Sequence, residues 1–215
     1  MRTTWRRLGG EASDATVEDV IARYNEPARR YHTVDHVAVV LHRIEDLLAG
    51  GNGGIAAPVD ADVVRAGGLF HDVVYDPRSA TNEADSATLA VEAMQGLGWG
   101  AARAGLLRDV IVATATHSAD SPESAVLLDA DLAILGSPPQ DYRRYVEAVR
   151  AEYSFVDDAG WVTGRSAVLQ SLLVRPHIFA TPAMRTTHEA QARCNLADES
   201  ALLRTGVHQG DDLRE

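Results

Sequence analysis

The sequence predicts an all-α protein. Apolar residues recur at steps of three and four almost throughout, no run alternates strictly every two residues, and glycine or proline clusters cut the chain into segments of helical length. With 215 residues and 46% hydrophobic content the chain can bury one sizeable core, and no shift in composition marks a linker, so a single domain is expected.

The first 13 residues place Arg2, Arg6 and Arg7 ahead of Gly9-Gly10-Glu11 and read as a flexible N-terminus, with the folded domain over about 14–205. Val34, Val37, Leu41, Ile44 and Leu48 define an amphipathic helix from His36 to about Ala49, which stops at Gly50-Gly51-Asn52-Gly53-Gly54. From about Asp60 to Tyr75 the apolar set is Val63, Val64, Leu69, Phe70, Val73 and Val74, and Asp76-Pro77 closes the segment as proline ends a helix. His71-Asp72 then falls near a helix C-terminus. Further helices are expected at about 82–97, 102–116, 123–135, 139–155, 162–175 and 185–204, punctuated by Gly136-Ser137-Pro138-Pro139, Asp158-Ala159-Gly160 and Thr181-Pro182. The polar tail, 206–215, is expected to fray.

Composition narrows the partners. Twenty basic against thirty-one acidic residues give a net charge of -11, which opposes attraction to long nucleic acid or an anionic membrane. A small anionic substrate stays open, because a bound dication and local arginines can reverse the field. Cys194 is the single cysteine, the N-terminus lacks a signal peptide's apolar segment, and no stretch approaches the roughly 18 apolar residues of a membrane span. A cytoplasmic protein, not attached to a membrane and of open oligomeric state, is the expectation.

Three stretches carry chemistry: Tyr31-His32-Thr33-Val34-Asp35-His36, His71-Asp72 and Asp129-Ala130-Asp131-Leu132. Imidazole nitrogen with carboxylate oxygen suits Mn, Fe, Co, Ni or Zn, whereas an all-oxygen set would suit Mg or Ca. His32 and His36 are four apart and share one helix face; His71 and Asp72 diverge by about 100° and can both ligate only from a notch between helices. Asp129 and Asp131 lie in the apolar frame Val126 to Leu135, where a buried charge is costly unless a partner such as a metal compensates it. Taken singly, His36 reads as a half-exposed helix residue, His71-Asp72 as a helix-terminal pair and Asp129 as a buried hydrogen-bond acceptor. Their company favours a metal site. His42, His177, His188 and His208 have no partner in the sequence and read as surface or structural, and Asp60-Ala61-Asp62 and Asp211-Asp212 as solvated.

In order, Arg30-Tyr31-His32-xxx-His36, Phe70-His71-Asp72-x-x-Tyr75-Asp76-Pro77, Asn82-Glu83 and Leu128 to Gly136 resemble the HD superfamily of metal-dependent phosphohydrolases, and within it a bacterial subgroup described only as predicted HD phosphohydrolases. The resemblance covers most of the chain. It implies an HD-type helical bundle in which His36, His71, Asp72 and Asp131 hold one divalent cation, with Mg disfavoured, and water activated on that ion attacks a small phosphorylated metabolite or nucleotide. The Tyr-His-xxx-His spacing is also similar to cyclic-nucleotide phosphodiesterases, which implies His32 as general acid, a role suited to a group with an unperturbed pKa of about 6.5. His-Asp-Val-Val-Tyr-Asp resembles the His-Asp-x-x-Glu-Asp motif of guanosine tetraphosphate hydrolases with Tyr75 in place of Glu, so Asp76 or Glu83 would have to orient the water.

Only His117 lies where two-metal members place two histidines, which favours one metal with His117 facing a substrate phosphate or a transient second ion. Arg30, Arg43, Arg165 and Arg193 are candidate phosphate contacts. Asn195-Leu196-Ala197-Asp198-Glu199 matches the subgroup's tail without a chemical role. Two other classes compete: a nucleotide-sensing or scaffold module without turnover, motivated by Tyr75, and an HD-type oxygenase, which typically needs two irons and more histidines.

Overall fold

The computed structural model describes residues 1–11 and 14–211, the side chains of 52 and 206–211 excepted. Among them eleven α-helices form the fold, with no strand: α1 (Arg2–Arg7), α2 (Ala15–Tyr24), α3 (Val34–Ala49), α4 (Ala61–Phe70), α5 (Asn82–Gly96), α6 (Ala101–Val112), α7 (Pro122–Asp131), α8 (Pro139–Glu152), α9 (Asp158–Leu173), α10 (Pro182–Thr187) and α11 (Glu189–Asp211). Short 3-10 turns follow α6 and α7. The all-α expectation holds.

α4 is the axis of the bundle. Its Val63, Val64, Ala66, Leu69 and Phe70 are all at most 1% exposed, because α1, α3, α5, α6 and α7 pack around it. Burying the valine, leucine and phenylalanine side chains is worth roughly 1.5–3 kcal/mol each relative to exposure. Glycine sets the spacing on one side: a Cβ on Gly68 would stand 2.4 Å from Ile44 Cδ1 and 3.2 Å from Leu41 Cδ2. α3 therefore lies close against α4, which brings the start of one helix beside the end of the other. α9 and α11, with the turn at 132–136, make a second group of contacts that closes over this core.

Local chemistry starts the helices. Asp14 caps α2 by accepting from Thr16 N (2.8 Å), Ser121 and Ser124 form a reciprocal capping box on α7, and Asp157 caps α9 through Gly160 N (2.7 Å). α9 consequently begins at Asp158, four residues before the expected start, and Gly160 lies inside it. Asp60 caps α4 and receives Arg103 at 2.6 and 2.7 Å, so it is not merely solvated.

The N-terminus departs from expectation. Trp5, 1% exposed, packs on Phe70 from within α1, so residues 2–7 form a helix docked on the core through that one side chain and do not read as a flexible N-terminus; residues 12–13 of that segment lie outside the described residues. Three arginines around one tryptophan hide that anchor from a periodicity search. α11 continues to Asp211, past the expected start of fraying, and 212–215 lie outside the described residues, as do the side chains of His208 and Asp211. α4 ends at Phe70 instead of Tyr75. Arg29 takes the carbonyls of Asp72 (2.7 Å) and Val73 (3.1 Å), so the chain turns out of the helix at His71.

The glycine spacing is testable. Gly68→Ala should destabilise the protein by about 1–3 kcal/mol, the usual cost of overpacking. Gly105→Ala, in α6 with nothing within 4 Å of an added Cβ, should be neutral or stabilising by up to about 1 kcal/mol. Urea unfolding of the two variants against the parent chain checks both.

Candidate functional site

Three helices and one turn bring four groups to a single point. His36 sits in the first turn of α3, His71 caps α4, Asp72 follows in the turn, and Asp131 is the last residue of α7. The Nε2 atoms of His36 and His71 are 3.2 Å apart. Asp131 Oδ1 lies 3.3 Å from His36 Nε2 and 3.6 Å from His71 Nε2, and Asp72 Oδ2 lies 3.6 and 3.2 Å from the same two atoms. Ligands on bonds of about 2.1 Å stand about 3.0–3.4 Å apart in octahedral or tetrahedral arrangements. His36, His71 and Asp131 thus form a group that can hold a metal ion, and Asp72 borders it at similar distances.

Hydrogen bonding points the donors the right way. His71 Nδ1 is 3.2 Å from Gly68 O, an acceptor, so Nδ1 carries the proton and Nε2 can present a lone pair inward. Burial works against charge on His36 and His71, yet the Asp131 and Asp72 carboxylates more than reverse it and raise both imidazoles above their ordinary value. Burial pushes the two aspartates up, and the histidines hold both well below the usual carboxylate range.

Asp129 proves different from Asp131. Its oxygens accept from Ala180 N and Thr181 N, both at 2.7 Å, so backbone amides satisfy it and it fastens the 178–181 segment to α7.

Beside the cluster stands a second carboxylate–imidazole pair. His32 Nδ1 is 2.7 Å from Glu152 Oε2, while His32 Nε2 is 4.0 Å from Asp72 Oδ2. Glu152 Oε1 also accepts the backbone N–H groups of Arg30, Tyr31 and His32 at 2.7–3.0 Å, and Oε2 accepts from the Tyr75 hydroxyl at 2.9 Å. Burial opposes the charge, but His32 and these amides hold the Glu152 carboxyl at about 2. Burial and Glu152 push the Tyr75 phenol far above its ordinary value, so it remains a donor. Arg29, 4% exposed, ties the carbonyl of His32 (3.1 Å) to those of Asp72 and Val73.

A cavity of about 530 Å³ opens onto this site, with Asp72, Asp131, His32 and His117 at its wall. His117 Nε2 lies 3.7 Å from Asp131 Oδ2. Its φ of +49° is unusual for a residue with a Cβ, and Arg175 holds its carbonyl at 2.6 Å.

Other expected site residues fare differently. Glu83 lines the cavity, but no hydrogen bond or ion pair among the described residues ties it to the cluster. Asp76 does not line it: its side chain accepts from Arg78 N (2.9 Å), which shapes the turn before α5. Arg30 is exposed and its guanidinium bonds the carbonyls of Pro27 and Arg29, outside the cavity. Arg165 lines the cavity, yet Glu199 takes its guanidinium at 2.7 and 3.0 Å. Arg43 leans to Asp46 and Arg193 to Glu189, both away from the cavity.

Glu152 and Arg29 were not legible as site residues, since neither forms a local pattern with His32 or Asp72. The tail motif gains a structural role: Asn195 bonds the carbonyls of Leu135 and Ser137 (2.8 and 2.9 Å), and Glu199 accepts from Arg165 and the Tyr142 hydroxyl. No helix among the described residues is long and apolar enough to cross a membrane. Compared with known proteins, the chain matches no family model, no curated protein and no solved structure.

The Glu152 carboxyl predicts a pH dependence. A folded value of about 2 against an ordinary 4.5 contributes stability that is complete above about 4.5 and fades as pH falls toward 2. In urea unfolding of metal-free protein, the deficit of Glu152→Gln should be largest at neutral pH and shrink as pH drops through that window.

Proposed function

We propose that the chain is a divalent-metal-dependent phosphohydrolase of the HD type, acting on a small phosphorylated metabolite or nucleotide. The observation that carries this reading is the convergence of two buried imidazole nitrogens and two carboxylates at spacings of 3.2–3.6 Å, with the carboxylates of Asp72 and Asp131 on the wall of a cavity. The donor set supports Mn, Fe, Co, Ni or Zn over Mg, and two aspartates balance a dication. A cation held there supplies Lewis-acid polarisation of a phosphoryl oxygen and makes water more acidic.

The chain's own residues account for the remainder. His36 and His71, fixed by α3 and α4, anchor the site from within the core. His32 turns Nε2 toward the cavity because Glu152 holds Nδ1, which gives it the position of a general acid. In the hydrolysis, a water oxygen bonds to phosphorus and the P–O bond to the leaving group breaks with its electron pair on oxygen. That oxygen takes the proton from His32 Nε2. One water proton stays on the phosphate and the other is lost to solvent, from which His32 is reprotonated. Glu152 acts through His32 as a positioning residue. His117, beside Asp131, faces the incoming phosphoryl group.

Metal content and phosphate release measured together test the reading. Asp131→Asn should weaken metal binding by about tenfold or more and abolish release. His32→Ala should keep the metal and lower kcat by about a hundredfold or more. Parent protein that takes up no more metal than Asp131→Asn under metal-replete conditions would refute the site. Metal and phosphate-ester binding without release, across Mn, Co, Ni and Mg, would leave a ligand-sensing module instead.

A further inference from the structure

We infer that the cavity selects a substrate with a single phosphoryl group on an uncharged, largely apolar body that carries an aromatic ring, and discriminates against di- and triphosphates. The inference rests on the phosphohydrolase reading and adds the substrate class.

The cavity wall carries it. Away from the cluster the surface is Tyr75, Tyr145, Tyr153 and Trp161 on one hand and Leu132, Val149 and Val168 on the other. Such a lining buries a flat or aliphatic body, and aromatic faces prefer offset or edge contacts with a bound ring. The volume of about 530 Å³ lies within the range of about 300–1,000 Å³ that holds drug-sized ligands.

Charge decides the number of phosphates. The chain has twenty arginines and no lysine, and among the described residues Arg165 is the arginine that lines the cavity. It is 7% exposed, and both of its hydrogen bonds to Glu199 neutralise it. Arg150, behind Trp161, is spent on Asp158 and on the carbonyls of Tyr153 and Val156. Glu83 adds a carboxylate to the lining. A phosphate beyond the first would therefore meet negative charge with no unpaired guanidinium among the described residues of the cavity lining to receive it, and like-charge juxtaposition is costly in a partly desolvated site.

α9 supplies a handle for the test. Gly164 lines the cavity in mid-helix, and an added Cβ there has nothing within 4 Å. A larger side chain at this position projects into the space for the organic body without touching the cluster, and replacing a helical glycine does not weaken the helix.

The experiment titrates manganese-treated protein with phenylphosphonate, methylphosphonate, adenosine monophosphate and adenosine triphosphate, read by calorimetry and by Trp161 fluorescence, with Trp161→Phe as the control for the signal. Phenylphosphonate should bind about tenfold or more tighter than methylphosphonate, and the monophosphate about tenfold or more tighter than the triphosphate. Gly164→Leu should erase the phenyl preference with metal content and thermal stability unchanged. Equal affinity for the two phosphonates, tighter triphosphate than monophosphate, or a phenyl preference that survives Gly164→Leu would overturn the inference. A phenyl preference in protein that holds no metal would uphold the selectivity of the cavity and remove the hydrolase reading.

Discussion

Two buried histidines turn their Nε2 atoms toward each other at 3.2 Å, and two aspartates close the gap between them. Imidazole nitrogens cannot satisfy one another without a proton or a cation between them, and carboxylates in an apolar bundle cannot stay ionised alone. Something positive must sit at this point for the fold to be stable as arranged. The closely packed helix pair that creates the encounter, α3 against the glycine side of α4, builds this point into the core of the protein.

The support for this centre is unusually centralised in backbone groups. Arg29 gathers carbonyls from the His32 and Asp72 loops, Glu152 gathers amides from Arg30 to His32, and Asp129 gathers amides from Ala180 and Thr181. Each is a buried charge satisfied by main-chain dipoles. Removing one would free a loop and leave carbonyls or amides unpaired, so these residues govern the geometry of the site without touching its centre. Glu152 has a second consequence, because it selects which nitrogen of His32 faces the cavity.

Sequence patterns revealed what is local. The helical periodicity of α3 to α8, the glycine stop after Ala49 and the convergence of His36, His71, Asp72 and Asp131 followed from spacing and from the family resemblance. Residues whose role depends on distant partners were not legible. Glu152 reaches His32 across 120 positions and Glu199 reaches Arg165 across 34, with no local motif to announce either. Arg165 illustrates the trap: an arginine on a cavity wall looks like an anion receptor until the buried glutamate that neutralises it is seen. Arg30 reads from the sequence as a candidate phosphate contact, whereas its neighbour Arg29 is the one that turns inward, since adjacent residues in an irregular loop face different ways. Trp5 shows the same limit for the fold, as a lone aromatic among arginines carries no period.

The proposed function requires that His36, His71, Asp72 and Asp131 enclose one divalent cation. Anomalous scattering from crystals of the manganese-loaded protein tests it most directly. One strong peak is expected about 2.0–2.3 Å from both histidine Nε2 atoms and from a carboxylate oxygen of Asp131, with Asp72 completing the set. A peak elsewhere, or none at full manganese occupancy of the medium, would contradict it.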